Sequence, residues 1–215
     1  MFKHQIVAHR GLWNVSKEKN SPEAISRALE EGFSLETDFR DHNGTIVISH
    51  DPKKLKEKVF SFNEFIKLHS KFSSSKTLIA ANIKADGLAN LLAKKKELKI
   101  KNFYFFDMSV PDHISFINYG FNNLARVSDL EDPKLKFSKL TDGFWIDFFF
   151  DETEIIKNIN YCLSKNKKTI LVSSELHQKD KTKMWNSIYN AGFFKNKNFY
   201  LCTDLPYEAL TFFNE

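Results

Sequence analysis

Two short stretches of the sequence contain the residue types that carry acid–base and metal chemistry. In the first, IVAHRG, an apolar run ends in His9 and Arg10; the second, LETDFRDHNGTIVISHD, contains Glu36 and Asp38 two residues apart, with His50 further on. Residues two apart on a strand point to the same side, and two adjacent carboxylates repel each other unless a cation separates them or one is protonated. Oxygen ligands of this kind suit Mg²⁺ or Ca²⁺ better than Zn²⁺.

A tight turn divides the second stretch into two halves. The dipeptide Asn43-Gly44 is a strong β-hairpin signal, so the chain is predicted to fold back and return His50 to the two carboxylates. Strict register would place Ser49 opposite the second carboxylate, so a bulge or a bend must orient the imidazole one residue further on. His9 approaches from the neighbouring strand. Two imidazoles beside a cation suit complementary acid and base roles near neutral pH.

Eight short apolar or β-branched runs recur along the chain, and helical segments lie between most of them. The runs are QIVAH, FSLETD, TLIAANIK, NFYFFD, NNLARVS, GFWIDF, TILVSS and NFYLCTD. Ser21-Pro22 opens one helical segment, and Gly32 follows its end. This alternation predicts parallel strands in a single (β/α)8 TIM barrel over residues 1–215, with a short hairpin excursion after strand 2. An open doubly wound sheet is the alternative architecture.

Polar residues collect where these runs end. In a barrel, the carboxyl ends of all the strands lie on one face, where catalytic groups are found. The strand-end residues are His9, Arg10, Glu36, Asp38, Asn82, Lys84, Asp107, Arg126, Asp147, Glu175 and Asp204. A helix cap is an equally good interpretation of Asp204, so the prediction of a site depends on the whole set.

The amino-acid composition limits the classes of protein to which the chain can belong. The formal net charge is +5 and the sequence pI is near 9.0, but the lysines are scattered, which favours solvated surfaces over a nucleic-acid partner. Cys162 and Cys202 lack close pairing and metal-ligand spacing, which favours a reducing compartment. The amino-terminal stretch becomes polar too early for a signal peptide, and no apolar run approaches the roughly 20 residues that span a bilayer. We therefore expect a cytoplasmic protein without membrane insertion.

The same motifs resemble the signature of the glycerophosphodiester phosphodiesterase family. AHRG, followed by NSPEAISRALEEGFSLETDFRDHNGTIVISHD, matches that family's order of HRG, ENT, E-x-D, a hairpin and HD. The resemblance is specific over residues 6–52; beyond them, ANIKADG stands where the family has E-x-K, and LCTDLP resembles its final T-D-x-P. It implies a TIM barrel with a divalent metal at the carboxyl ends of the strands.

The resemblance also implies roles for individual residues. His9 and His50 match the family's acid–base histidines, and Glu36 and Asp38 match two of its metal ligands. Asn82 stands where the third metal carboxylate belongs, and its amide oxygen can bind Mg²⁺ or Ca²⁺ without contributing a charge. The implied cofactor is therefore a divalent cation held by a weakened set of ligands.

Other positions of the motif are matched less evenly. Arg10 and Lys84 match the family's phosphate-contacting groups, and Asn20 matches the asparagine of ENT, whereas Lys19 replaces its glutamate. Asp107, on the next strand, is a candidate for the missing carboxylate.

Two further motifs have open interpretations. In GFWIDFF, Phe144 and Trp145 are predicted in the barrel core, or as an aromatic wall of the pocket at the strand end. In SSELH, Glu175 and His177 are predicted either at the rim or in a helix-entry turn.

The leading hypothesis is metal-dependent hydrolysis of a glycerophosphodiester, a small molecule, to a phosphomonoester and an alcohol. A non-hydrolytic barrel that binds phosphodiesters or acts as a regulator, weakened by Asn82, is the first alternative. The second is an unrelated barrel enzyme, such as an isomerase or lyase that uses His9 and His50 on a substrate without phosphate.

Overall fold

The computed structural model of the protein describes residues 1–72, 76–95, 102–134 and 136–214. The strands within these ranges are β1 (Ile6–His9), β2 (Ser34–His42), β3 (Thr45–Ile48), β4 (Ile79–Ile83), β5 (Phe103–Phe106), β6 (Leu124–Val127), β7 (Gly143–Ile146), β8 (Lys168–Val172) and β9 (Phe199–Thr203). The α-helices are α1 (Pro22–Glu30), α2 (Phe62–Phe72), α3 (Leu88–Ala93), α4 (Val110–Asn118), α5 (Ile155–Ser164), α6 (Thr182–Ala191) and α7 (Pro206–Phe212).

Eight parallel strands form a barrel in the order β5-β4-β2-β1-β9-β8-β7-β6. Its ends meet between β5 and β6, where Phe105 and Asn123 form a parallel bridge and the Phe105 amide donates to the Asn122 carbonyl at 3.0 Å. The predicted (β/α)8 TIM barrel is therefore confirmed, and the alternative of an open sheet is wrong. The β6–β7 connection carries a 3-10 helix, Lys136–Leu140, where the other barrel connections carry α-helices.

The hairpin excursion after strand 2 is also present. Strand β3 pairs antiparallel with β2, outside the order of the barrel strands. Asn43 and Gly44, both with positive φ, form its two-residue turn, as expected for a hairpin that follows the twist of its strands. The Ser49 amide donates to the Asp38 carbonyl at 3.0 Å, which is the predicted register.

Helix α1 begins at the predicted proline and packs unusually close to the loop after β1. The Ser21 hydroxyl accepts a hydrogen bond from the Ala24 amide at 3.1 Å and caps the helix. Gly11 has φ +95°, and a Cβ there would lie 2.7 Å from the Ala24 carbonyl carbon. Glycine is required at this position, and the close contact holds the preceding residue, Arg10, at the mouth of the barrel.

Two apolar layers surround and fill the barrel. In the outer layer, Phe39 packs edge-on against Phe62, Phe65 and Phe105, with ring centroids 5.5, 5.5 and 6.3 Å apart. The inner layer fills the barrel axis with Val7, Leu78, Ala80, Phe106, Leu124, Trp145, Ile170, Val172, Tyr200 and Cys202. Both cysteines are buried free thiols, Cys162 in the outer layer and Cys202 in the inner one.

The searched helices, all within the described ranges, include none with the length and apolar character needed to cross a bilayer.

Candidate functional site

A cavity of about 340 Å³ opens at the carboxyl ends of the barrel strands. Eight of the ten residues predicted from the sequence line it: His9, Arg10, Glu36, His50, Asn82, Lys84, Asp107 and Trp145. The other two are Asp38, which is fully buried and ion-paired with the cavity residues Arg10 and Lys84, and Glu175, which does not line the cavity. The stretches IVAHRG and LETDFRDHNGTIVISHD therefore meet at one cavity.

His9 is oriented by a carboxylate. Its Nδ1 lies 2.6 Å from an Asp204 oxygen, so Nδ1–H donates to Asp204 and Nε2 is left as the acceptor. Nε2 lies 3.9 Å from Glu36 Oε2. Burial lowers the pKa of His9, although the bond to Asp204 opposes this effect. The imidazole is therefore uncharged at neutral pH, with Nε2 as its acceptor nitrogen.

The carboxylate that orients His9 is itself held by the residue that departs from the ENT pattern. Lys19 Nζ lies 3.0 Å from the second Asp204 oxygen and 4.5 Å from the centroid of the Trp13 ring. The Trp13 indole in turn donates to the His9 carbonyl at 3.1 Å. Burial would raise the pKa of Asp204, but His9 and Lys19 together lower it, which keeps Asp204 ionised. The helix-cap interpretation of Asp204 thus missed its contact with His9.

His50 lies at the open edge of the cavity. Its side chain is 45% exposed, and its Nδ1 lies 2.8 Å from an Asp51 oxygen. The His50 carbonyl accepts from Arg40 Nε at 3.1 Å, which fixes the backbone after the hairpin. The hairpin brings this imidazole to the cavity wall that also includes His9 and Glu36.

The acidic pair is buried and surrounded by donors. Glu36 and Asp38 are 1% and 0% exposed. One Asp38 oxygen lies 2.9 Å from Arg10 Nε and 2.7 Å from Asn20 Nδ2, and the other lies 3.7 Å from Lys84 Nζ. Glu36 accepts from the Arg10 amide at 3.2 Å. Burial and the neighbouring Asp38 charge raise the pKa of Glu36 to about 8.

Two buried oxygens at this place, one on Asp38 and one on Asn82, accept no hydrogen bond. Asn82 lies opposite Asp38 in the parallel register of β2 and β4, and the buried Oδ1 atoms of both residues lack a hydrogen-bond partner. Leaving such oxygens unsatisfied costs about 1–3 kcal/mol each, which a hard cation would offset. Glu36, Asp38 and Asn82 therefore form a donor set that fits Mg²⁺ or Ca²⁺. Across the described ranges, no group of three or more His, Cys, Asp or Glu side chains is arranged to hold a metal ion, so a cation at this place would be held by two carboxylates and the Asn82 amide oxygen.

Asp107, the candidate replacement for the missing carboxylate, is engaged elsewhere. One of its oxygens lies 3.2 Å from Lys84 Nζ, and the other contacts Arg126. Arg126 continues the chain of charges to Glu131, with Nε 2.7 Å from a carboxylate oxygen. Lys84 consequently lies between Asp38 and Asp107, which holds its ammonium group against the cavity.

The wall opposite the acidic pair carries a third carboxylate–imidazole contact. His177 Nε2 lies 2.6 Å from Asp147 Oδ1, and this bond raises the pKa of His177. The Phe149 ring packs edge-on against His177 at 5.3 Å, and Trp145 stacks on Phe106 at 3.9 Å. Asp147 belongs to the predicted set of strand-end residues, but no local pattern in the sequence indicates its contact with His177.

Glu175 forms hydrogen bonds with the segment that contains Asp204. Its carboxylate accepts from the hydroxyls of Ser173 and Thr203 and, at 3.3 Å, from the Asp204 amide. Glu175 does not line the cavity, whereas His177, from the same SSELH motif, does.

Comparison with known proteins finds solved structures with the same fold but no match by sequence. No protein-family model matches the chain, and no curated protein matches it by sequence. Among solved structures, a glycerophosphodiester phosphodiesterase from Parabacteroides distasonis is 16% identical, with a TM-score of 0.75, covering 99% of this chain and 97% of that one. The fold is that of the glycerophosphodiester phosphodiesterases. The structural side of the predicted resemblance is confirmed.

Two further neighbours extend the comparison. A glycerophosphodiester phosphodiesterase from Agrobacterium tumefaciens is 14% identical with a TM-score of 0.66, covering 98% of this chain and 99% of that one. A phosphodiesterase from Oleispira antarctica, solved with the product sn-glycerol-3-phosphate, is 16% identical with a TM-score of 0.68, covering 98% and 97%. The chain thus spans nearly the full length of solved glycerophosphodiester phosphodiesterases.

Proposed function

We propose that the protein is a metal-dependent phosphodiesterase that hydrolyses a small glycerophosphodiester to a phosphomonoester and an alcohol. One observation carries the proposal: Glu36, a neutral His9 and the cationic Arg10 and Lys84 line one cavity on the catalytic face of the barrel. The neighbour solved with sn-glycerol-3-phosphate supports a glycerol phosphate as the common part of the substrate.

The chain's own side chains bind and orient the phosphate. Arg10 and Lys84 line the cavity while each is anchored to Asp38, so their positive charges are already in place for a phosphate. A guanidinium offers a planar fork of donors and an ammonium a compact charge, and both bind phosphate oxygens well.

Proton transfer is assigned to the two histidines. His9 Nε2 accepts the proton of the nucleophile, either water or the substrate's glycerol 2-hydroxyl, because Asp204 holds the proton on Nδ1. His50, on the exposed side of the cavity, donates a proton to the leaving alcohol.

Mg²⁺ or Ca²⁺ is the cofactor that Glu36, Asp38 and Asn82 would hold. When bound, the cation supplies polarisation of a non-bridging phosphate oxygen. The two buried oxygens that lack partners support this assignment.

The test is alcohol release from glycerophosphodiesters with choline, ethanolamine and glycerol headgroups, with Mg²⁺, with Ca²⁺ and with a chelator. We expect cation-stimulated release and a loss of about 10²- to 10⁴-fold in His9→Asn and in His50→Asn. His42→Asn is the matched control, because His42 lies on the same hairpin but outside the cavity. Inactivity of the cation-loaded protein across the panel would count against the proposal, as would full activity of both cavity variants.

A non-hydrolytic phosphodiester-binding barrel is the second candidate. It is favoured by Asn82, which leaves the site one carboxylate short, and by the pairing of Asp38 with Arg10, which already balances part of the acidic charge. Asn82→Glu distinguishes the two candidates. A gain of cation binding and turnover identifies an impaired enzyme, whereas tight ligand binding with no turnover in either form identifies a binding protein.

A further inference from the structure

A second cavity, of about 370 Å³, opens at the opposite end of the barrel. Its walls come from residues at the amino-terminal ends of strands and from the segments that precede them. The charged side chains that line it are Lys76, Lys168, Lys197 and His4. None of the residues lining this cavity is acidic, in contrast to the mixed charges of the candidate active site.

The apolar filling of the barrel separates the two cavities. The stacked rings of Phe106 and Trp145, together with Ile170 and Cys202, occupy the axis between them. No residue lines both cavities. A ligand at the amino-terminal end would therefore contact neither of the proposed catalytic histidines.

Lys168 is the half-buried centre of the positive charge. It is the first residue of β8, and its Nζ donates to the Tyr200 hydroxyl at 2.6 Å while lying 4.7 Å from the ring centroid. The hydroxyl oxygen is occupied by this bond, and burial raises the pKa of Tyr200 to about 12, so its O–H remains available as a donor. This pair offers donors to the cavity.

Lys168 and Lys197 are two of the lysines that line this cavity. In the part of the chain that the structure describes, neither Lys168 nor Lys197 has a carboxylate at ion-pair distance. Burial lowers the pKa of Lys168; burial and the charges of Lys76 and Lys168 lower that of His4. Burial, Tyr200 and the acidic residue Asp142 raise the pKa of Tyr104, which also lines the cavity. The Asp142 side chain is exposed and accepts from the Asn123 amide at 2.8 Å.

The barrel backbone holds Lys168 in place. Gly143 is paired with Lys168 in the register of β7 and β8, and a Cβ at Gly143 would lie 2.4 Å from the Lys168 carbonyl oxygen. The absence of a side chain at Gly143 allows the two strands to approach, which fixes the position from which the lysine side chain extends.

We propose that this cavity binds a small phosphate-bearing anion. The ammonium groups of Lys168 and Lys197 and the Tyr200 hydroxyl belong to residues that line one concavity, and charge-assisted hydrogen bonds to phosphate oxygens are the strongest interactions such donors make. The recessed shape selects a small molecule over an extended surface. The site is independent of the phosphodiesterase proposal, because it shares no residue with that cavity.

Calorimetric titration with inorganic pyrophosphate tests the proposal. Lys168→Met and Lys197→Ala each remove one lining charge, and we expect pyrophosphate affinity to fall about tenfold for the half-buried lysine and severalfold for the exposed one. Lys183→Ala is the matched control, because it removes the same charge from an exposed lysine on α6 outside the cavity. Arg10→Ala removes a cation from the candidate active site only, so pyrophosphate binding that this variant loses belongs to that site.

The expected result is a binding event that persists in Arg10→Ala and is weakened by the two cavity lysine variants but not by Lys183→Ala. Equal affinity in all three lysine variants would overturn the proposal, and so would the loss of all pyrophosphate binding in Arg10→Ala. If Lys168→Met does not fold by circular dichroism, Lys197→Ala and Tyr200→Phe decide between these outcomes.

Discussion

Replacement of Asp204 by asparagine should disable His9 through its tautomer, and Lys19 makes this effect unusually specific. In the protein, one Asp204 oxygen accepts from His9 Nδ1 at 2.6 Å and the other accepts from Lys19 at 3.0 Å. An asparagine has a single oxygen. Because the Lys19 ammonium can only donate, the amide oxygen must turn to Lys19 and the amide NH₂ to His9.

In Asp204→Asn, the proton of the His9 imidazole should therefore lie on Nε2 instead of Nδ1. An NH₂ group facing Nδ1 requires Nδ1 to accept, so the proton moves to Nε2 and the base loses its lone pair in the cavity. A wrong tautomer costs about 10⁴-fold in the serine-protease triad, and general-base catalysis is worth about 10²- to 10⁴-fold. We expect Asp204→Asn to lower kcat by about 10²- to 10⁴-fold.

A second substitution separates this mechanism from simple damage. In Asp204→Asn/Lys19→Met the amide is free to turn, so its oxygen can again accept from Nδ1–H. Relief of a donor–donor mismatch worth about 1–3 kcal/mol should recover roughly tenfold in kcat over Asp204→Asn. Imidazole ¹⁵N shifts read the His9 tautomer directly, alongside the alcohol-release assay. The reasoning is refuted if Asp204→Asn keeps the Nδ1–H tautomer, or if the double variant is less active than the single one.

Three other measurements follow from the structure. Burial between aromatic rings lowers the pKa of His69 to about 4, so between pH 6.5 and 4 only the unfolded chain gains this proton. Chemical denaturation should show the free energy of unfolding falling by up to about 3 kcal/mol over this range, and less in His69→Leu. Gly11→Ala should cost about 2 kcal/mol or more, because its Cβ would lie 2.7 Å from the backbone of α1, whereas Gly120→Ala, with open space around it, should cost about 1 kcal/mol by the same assay. His177→Asn should raise KM about three- to tenfold with little change in kcat, if His177 contacts the headgroup; an unchanged KM would exclude that contact.

Local patterns in the sequence were sufficient for most of the fold. The eight apolar runs became the barrel strands because each had a strong β signal between helix or turn signals, and the Asn43-Gly44 turn fixed the hairpin register. Barrel closure could be expected from the number of strands, but its position depends on contacts between β5 and β6 that no local pattern encodes.

The sequence predicted residues that the structure gathers around one cavity, but it did not predict which side chains contact each other there. His9 and Asp204 are 195 residues apart, and their contact depends on β1 and β9 being neighbours in the closed barrel. For the same reason, the sequence allows Asp107 as a metal ligand, whereas in the structure it lies between Lys84 and Arg126 and forms an ion pair with each. Side-chain ionic contacts depend on three-dimensional neighbours, which spacing along a chain does not specify.

Because β3 pairs only with β2 in the strand order, the hairpin should tolerate insertions and deletions differently at its tip and along its arm. Residues inserted at the exposed Asn43-Gly44 tip extend both arms outward and leave the pairing of Ser49 with Asp38, at the base, undisturbed. A single deletion within β3, by contrast, would exchange the two faces of that arm and turn the segment entering His50 the wrong way. The tip is therefore a position where new sequence can be grafted beside the cavity, while the arm below it must keep its length.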